Sequence, residues 1–450
     1  MSALRWAGRT RVTLCAALVV MAMGIASCSG ASGAAKPSGA AGGFKPGVLD
    51  RTYAGTTINV LVPAWAAQPA ASIAKFTAAT GIVVKQETLD FNAVHDKIVT
   101  SESAGQAPAD VTEMDWTWVS QFGKAGWYAD LKKYLPAETI SGDVGNKIFL
   151  YKGQQVAVPY NLDFRGMVVD MTALGKAGVT TPPTTWAEVT AAAEAVRSQG
   201  GAQYPVALPL SVTEGSATPW YALTKAAGGE VLDASGQPAF STSDSGGSKA
   251  VAFIKSLYDS KLIAPGSISL TDSDVTTQFL QGKAPIVLSV GPGLLSNAKN
   301  DDKSTVKADD VQFVAVPGSD AEASKLVGLQ EGLGIPAKAA HPEAAAEFMY
   351  WWQQAEQQVT SYSDPNMGNV PSQQAALAML VTEKKLIGGD QILKQSQKVG
   401  PVFAEAAPTW YSQFSTDVAS MLHAVAAGQT SVDSGIKQLS SQTATLASGG

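Results

Sequence analysis

The side chains best equipped for chemistry sit in one short insert. Residues 153–170 read "GQQVAVPYNLDFRGMVVD", in which "PYNLDFRG" separates two β-branched apolar runs, 156–158 and 167–169. Each run reads as a buried strand. The insert is too long for a tight hairpin turn and gathers Tyr160, Asn161, Asp163 and Arg165. Carboxylates and amides of this kind hydrogen-bond solute hydroxyls, while Arg165 can either reach a solute or brace Asp163 through a charge-assisted pair.

Aromatic residues recur beside polar ones at four further places. Trp65 ends the first predicted strand, Trp116 and Trp118 follow Asp115 in "ADVTEMDWTW", Trp220 and Tyr221 lie in "EGSATPWYAL", and Trp410 and Tyr411 in "AAPTWYSQF". In open α/β sheets, ligands collect at the carboxyl ends of strands. An aromatic face packs on the apolar C–H face of a sugar, and neighbouring acids and amides bond its hydroxyls. For any one Trp, core packing is the commoner role. Trp127, Trp186, Trp351 and Trp352 are assigned to packing because each lies on a helix or beside a core position.

Catalytic patterns are missing. His95, His341 and His423 are far apart and none stands in metal-ligand spacing. There is no G-x-S-x-G elbow, Cys nucleophile or phosphate loop, and "GPG" at 291–293 is too short for one. Glu113, Asp115, Asp163, Glu214 and Glu331 could furnish a glycosidase pair. Their spacing in sequence does not bring two of them to one bond, and structural or binding roles are the simpler reading.

The elements that must carry these groups alternate. "TTINVLVPAW" reads as a strand, followed by a helix with Ile73 and Phe76 on one face and Gly81 as its stop. "GIVVKQETL" is a second strand, and a helix, a Gly/Pro break and the strand "ADVTEM" come next. This alternation predicts parallel βαβ units and an α/β fold. Thr185 and Glu188 form a capping box, "GGEVLDASGQPAF" reads as a small hairpin, and Pro342 opens a helix burying Ala345, Phe348, Met349 and Trp352. Val418, Met421, Leu422 and Val425 mark a last helix closed by Gly428.

The chain has 450 residues, 45% of them apolar and only 16% charged, with a formal net charge of −6. That length supports two or three domains or two large lobes. No Lys/Arg-rich run is present, so nucleic acid is excluded as a partner. At the N-terminus, Arg5, Arg9 and Arg11 precede an apolar stretch from residue 12 to 25, then "IASC" ending at Cys28. This reads as a signal peptide over 1–27 rather than a spanning helix. An aliphatic residue, two small residues and Cys resemble a lipobox, which implies lipidation of Cys28 and anchorage to the outer face of the cell membrane. The remaining Cys, Cys15, falls inside the leader, so no disulfide is expected. Losing three Arg takes the mature charge from −6 to −9. Gly, Ala, Ser and Pro dominate the next residues, and 28–55 is expected to be a flexible tether.

Over most of the mature chain the sequence resembles the sugar-binding branch of the bacterial ABC-importer solute-binding proteins, the branch that includes maltose-binding protein. The pieces that carry the likeness are "AGQAPADVTEMDWTWVSQFGKAGWYADLKKYL", "GQQVAVPYNLDFRGMVVDMTALGKAGVTTPPTTWAEV", "VTTQFLQGKAPIVLSVGPG" and "GLGIPAKAAHPEAAAEFMYWW" in order. Two departures stand out: Val169–Asp170 replaces the family's Tyr-Asn, and "GPGLL" lacks an aromatic often found there. The resemblance implies a two-lobe, type II periplasmic-binding-protein clamp with several interlobe crossings. Lobe 1 would comprise 56–159 and 332–382, and lobe 2 160–331 and 383–450. "YNLDFRG" would be the first crossing and "VGLQEGLGIP" the second, with Gln330 and Glu331 at the hinge. Trp65, Trp116, Trp118, Tyr160, Trp220, Tyr221 and Trp410 would line the site, with Asp115, Asn161, Asp163 and Glu331 reading hydroxyls. The implied protein is a non-enzymatic, cofactor-free, monomeric lipoprotein that delivers a sugar to an importer permease. The rival readings are a binder of a polyamine or polyol and a secreted carbohydrate-active enzyme.

Overall fold

Ile58, Val60 and Val62 alternate along β1 (Thr57–Pro63) and are wholly buried, as the period of two requires. Helix α1 (Ala70–Thr80) lays Phe76 on this strand and stops at Gly81, whose left-handed φ of 77° lets its N–H reach the Thr77 carbonyl at 2.7 Å. The chain continues through β2 (Val83–Leu89), α2 (Phe91–Ser103), β3 (Val111–Asp115) and β4 (Val158–Pro159), then leaves for β5 (Gly166–Asp170). The computed structural model describes residues 44–298, 304–364, 369–404 and 406–449. The expected leader, Cys28 and most of the tether lie outside them.

Beyond β5 come α3 (Trp186–Ser198), β6 (Val206–Ala207), α4 (Glu214–Ala226), α5 (Gly246–Asp259), α6 (Asp272–Leu280), β7 (Ile286–Val290), β8 (Val311–Ala315) and β9 (Leu326–Val327). β10 (Glu331–Gly334) returns to the first sheet, followed by α7 (Pro342–Trp352), α8 (Gln374–Thr382), β11 (Val399–Gly400) and α9 (Tyr411–Ala426). The first sheet runs β2-β1-β3-β10-β4 and the second β8-β5-β7-β6, while β9 pairs with β11.

Parallel pairing holds between the first three strands, where the alternation predicts it, β1 with β2 and β1 with β3, and β6 also runs parallel to β7. The other contacts within the two sheets are antiparallel. The cause is the crossings. β10 enters the first sheet at the end where β3 and β4 finish, and β5 enters the second where β7 and β8 finish, with Gly166 opposite both Val290 and Ala315. Strands that arrive from the neighbouring sheet must run against those that leave for it.

The helix signals hold. The Thr185–Glu188 capping box is formed, and Pro342 opens α7, whose Phe348, Met349 and Trp352 cover the first sheet. The "GGEVLDASGQPAF" segment closes through a single antiparallel bridge, Leu232 to Pro238. Two expected boundaries shift in packing. Phe44, placed in the tether, packs against Tyr134 at 5.8 Å between ring centres. In α8, placed with lobe 1, Leu377 and Leu380 join the apolar cluster of Phe164, Phe279 and Phe313 on the second sheet.

Candidate functional site

The polar insert is an extended ribbon with two faces. Leu162 and Phe164 are buried, whereas Asn161, Asp163 and Arg165 are half-buried on the opposite side. Three chain segments lie side by side here. The Tyr160 N–H donates to the Glu331 carbonyl (3.1 Å), Leu329 N–H to the Asp163 carbonyl (2.9 Å), Arg165 N–H to the Val327 carbonyl (2.9 Å), and Leu162 N–H to the Val370 carbonyl (2.7 Å). Backbone that leaves one sheet thus finds partners on the segments crossing beside it, which satisfies groups that would otherwise be stranded. Gln330, next to these crossings, is fully buried.

Glu331 organises the cleft side of the bundle. Its Oε2 accepts from the Tyr160 hydroxyl (2.6 Å), the Trp65 indole N–H (2.9 Å) and the Asn161 amide (3.1 Å), and its own backbone N–H donates to Asn161 Oδ1 (3.2 Å). Trp65 sits on a short turn just past β1, is 41% exposed, and lies over Phe91 at 6.1 Å with an interplanar angle of 27°. Asn369 holds the Trp65 carbonyl at 2.9 Å. Burial pushes the Glu331 carboxyl up despite its three donors. Behind Tyr160, Glu113 is wholly buried. Burial raises its carboxyl well above the usual range, and the charges of Glu331 and Asp115 add to the effect.

The adjoining wall pairs the end of β3 with the helices α4 and α9. Asp115, at the end of β3, accepts from the Thr117 N–H (2.9 Å) and hydroxyl (2.5 Å), and burial pushes it up to about 8. Trp116 meets Tyr411 edge-on at 4.9 Å and is 6% exposed. The Tyr411 and Ser415 hydroxyls of α9 both donate to Glu214, the first residue of α4, where a carboxylate also complements the helix dipole. Burial raises Glu214, and its charge reaches Asp115 across the gap.

Of the expected site residues, the structure joins Trp65, Tyr160, Asn161 and Glu331 in one hydrogen-bonded cluster, with Asp115 and Trp116 on the next wall. Asp163 is braced by Arg165, Oδ1 to Nη1 at 2.8 Å. Trp118 is 6% exposed and packed between Phe91 (4.8 Å) and His95 (5.1 Å), away from open space. Trp410 is half-buried and edge-on to Phe414. Trp220 and Tyr221 do not line a cleft. "EGSATPWYAL" is helical, both rings are fully buried, and the Trp220 N–H donates to the Gly247 carbonyl at 2.9 Å. Phe240 and Phe414 close over them. Glu214, Tyr411 and Ser415 were missed as a constellation, because 197 or more residues separate the acid from its donors.

Beside the hinge, a cavity of about 290 Å³ opens among Asn161, Asp163, Arg165, Thr218, Asp272 and Ser289. No sequence pattern marked the last three. Among the described residues, no group of three or more His, Cys, Asp or Glu could hold a metal ion, and no helix is long and apolar enough to cross a membrane.

Two α/β layers joined at a bundle of crossings, with polar groups converging beside it, is an architecture that known proteins share. The family model for bacterial extracellular solute-binding proteins matches residues 50–359. The chain belongs to that family. Its fold is the two-lobe α/β fold of the solved structures that it resembles. A binding protein of Brucella abortus is 27% identical over 229 residues, 50% of this chain and 54% of that relative, so the chain spans about half of its length. A Sinorhizobium fredii protein named as an amino-acid ABC transporter periplasmic-binding protein is 26% identical over 327 residues, 67% of this chain and 70% of the relative. Among solved structures, the sugar-binding protein MalE of Xanthomonas citri superposes with a TM-score of 0.75 at 18% identity, covering 87% of this chain and 98% of that one. A ribitol complex of an Agrobacterium radiobacter solute-binding protein gives 0.72 at 19% identity, covering 89% and 100%.

Proposed function

We propose that this solute-binding protein captures a sugar or polyol in the cleft between its lobes and delivers it to the permease of an ABC importer. The observation that carries this reading is the Glu331 cluster. An exposed indole, a phenol, an amide and a carboxylate converge beside the chain crossings, and Asn161 of this cluster also lines the neighbouring cavity. The neighbours of known structure, bound to ribitol or named for maltose, support polyhydroxylated solutes. Trp65, Asp115, Trp116, Tyr160, Asn161, Asp163 and Glu331 form the binding surface in this proposal, with Trp118 and Trp410 supporting it from behind. The lobe boundaries near 159, 331 and 382 belong to the same reading, as do a monomeric state and anchorage through lipidated Cys28.

Closure follows from differential affinity. A solute touching both walls binds the closed clamp better than the open one and shifts the population towards it. The permease then distinguishes loaded from empty protein by lobe geometry. A thermal-shift screen of mono-, di- and trisaccharides, polyols, amino acids and polyamines tests the reading. A cognate sugar or polyol at 100 times its Kd adds about 2.7 kcal/mol of stability. The buried acids and the Sinorhizobium relative favour one second reading, a solute bearing an ammonium group. Stabilisation by amino acids or polyamines alone, weakening steeply with salt, would establish it and displace the sugar.

A further inference from the structure

Asp143 stands outside the cleft and does not line the cavity beside the hinge. It follows the short helix Ala137–Gly142 and pairs through an antiparallel bridge with Gln373, on the last of the three segments that lie side by side there. The Val144 N–H donates to the Ser372 carbonyl at 2.8 Å. Asp143 is 2% exposed and Ser372 is wholly buried. Their side chains meet at 2.7 Å, Oδ1 to Oγ.

The protons around Ser372 can be counted. Its Oγ also lies 2.9 Å from the Pro159 carbonyl, at the start of the first crossing, and 3.2 Å from Gln358 Nε2. The Gln358 amide can only donate to it, because Gln358 Oε1 already accepts from the Gln373 N–H at 3.0 Å. A serine hydroxyl has one proton to give and two lone pairs. The Pro159 carbonyl can only accept, so the serine proton belongs there. The proton between Oδ1 and Oγ must then come from Asp143. As a neutral acid Asp143 donates to Ser372, Ser372 donates to Pro159, and the serine is fully used. An ionised Asp143 would instead compete with Pro159 for the single proton and win it, since a bond to a charge is the stronger.

The surroundings favour the neutral acid. Asp143 Oδ2 is buried with no hydrogen-bond partner among the described residues, a costly position for an anion. Burial raises this carboxyl well above its usual range, and the groups that act against the rise are uncharged, the Ser372 hydroxyl and the Gln373 side chain. On the turns before and after Asp143, Glu138 and Lys147 are exposed, as are Glu356 on the helix Ala355–Ser363 and Glu383, Lys384 and Lys385 just past α8. Tyr160, next to Pro159, turns its hydroxyl to Glu331.

We propose that Asp143, carrying its proton, latches the first crossing to the third through Ser372, and that loss of this proton releases Pro159 and loosens the crossings. The latch is closed at low pH and opens as pH rises through the titration of the folded carboxyl. Tyr160 and Asn161 begin where it holds, so a residue outside the cleft sets how firmly they are positioned.

Hydrogen exchange of the folded protein, corrected for the intrinsic rate and read on peptides covering 143–144 and 160–162, tests this from about pH 5 to about pH 10. In the wild type, protection at Val144 and Leu162 should fall with rising pH by about fivefold to tenfold more than that of β1, the loss expected for one hydrogen bond. Asp143→Asn, whose amide can donate to Ser372 at every pH, should hold that protection level. Ser372→Ala, which cuts the relay, should show the loosened pattern already at the low end. In urea denaturation the folding constant of Asp143→Asn relative to wild type should grow by up to about tenfold per pH unit above about 4. Wild-type exchange that follows β1 throughout would overturn the latch, as would Ser372→Ala protected like the wild type at low pH. A constant stability ratio between Asp143→Asn and wild type would overturn the neutral acid itself. If Asp143→Asn fails to fold, the wild-type and Ser372→Ala exchange profiles decide.

Discussion

Two aromatic clusters in this protein use the same residue types to opposite ends. Around Trp220, the rings of Tyr221, Phe240 and Phe414 pack at 5.1 to 6.4 Å, Trp220 and Tyr221 are fully buried, and the one indole N–H is spent on a carbonyl within the same lobe. Around Trp65, the ring is 41% exposed and its N–H reaches Glu331, 266 residues away, on a strand that has just crossed the hinge. What separates them is the partner rather than the tryptophan. A ring whose polar edge is satisfied locally can be sealed into a core, whereas one that shares a carboxylate with Tyr160 and Asn161 at the cleft remains accessible.

The largest expected effect tests the core half of that contrast. Trp220→Ala removes a fully buried ring and should cost about 3–5 kcal/mol of unfolding free energy, measured by urea denaturation, with the affinity of the remaining folded protein for its solute unchanged. A loss below ~1 kcal/mol together with a collapse in affinity would move Trp220 to the binding surface.

This contrast also marks what could be read from sequence. The strand alternation of Ile58, Val60 and Val62, the Gly81 stop and the Thr185–Glu188 box are local signals, and each formed as its residues dictate. The insert at 160–165 was legible as polar groups between strands, and its alternation of buried Leu162 and Phe164 with half-buried Asn161 and Asp163 explains why. "EGSATPWYAL" misled because its Trp and Tyr stand close to polar residues, the pairing that a ligand-facing aromatic also shows. Both fall inside α4, where Pro219 forgoes one backbone hydrogen bond of the helix. Ser289 and Asp272 carried no signal because they come together only where separate segments border one cavity, which no local pattern encodes.

The acids on the cleft side sharpen the comparison through pH. In the unfolded chain the Asp115 carboxyl titrates near 3.8, and in the folded protein it is pushed up to about 8. Between those values the unfolded state is ionised while the folded state keeps its proton, so stability falls as pH rises from about 4 to about 8 and levels off beyond. The limiting slope is about 1.4 kcal/mol per pH unit. Asp115→Asn keeps the shape and removes the titration, so the variant should gain on the wild type by about 2 kcal/mol between pH 6 and 7.5. Parallel stability curves for the two proteins would show that Asp115 is ionised in the folded cleft.

A smaller effect is expected at the shared carboxylate. Glu331→Gln keeps an acceptor for one donor and sets its own amide against the Trp65 and Asn161 N–H groups. The hydrogen bonds to a charged group are worth about 1.5–3 kcal/mol each before compensation. Solute affinity should drop about tenfold by calorimetry, with a melting temperature within a few degrees of wild type. An affinity equal to wild type would detach this cluster from binding.

The smallest stability effect belongs to Trp65 itself, and it decides whether the two clusters differ in kind. Trp65→Ala exposes little that was dry, because two-fifths of the residue already meets solvent. It deletes one hydrogen bond to Glu331 and the overlap with Phe91, each worth about 0.5–1.5 kcal/mol. Water can replace the bond at an exposed site, so the unliganded protein should lose about 1 kcal/mol or less by urea denaturation. The fall in solute affinity should exceed that loss, since the indole borders the mouth of the cleft. If Trp65→Ala destabilises the unliganded protein as much as Trp220→Ala does, the Glu331 cluster is a structural clamp on the hinge. Its convergence of polar groups would then serve to position the lobes rather than to recognise a solute.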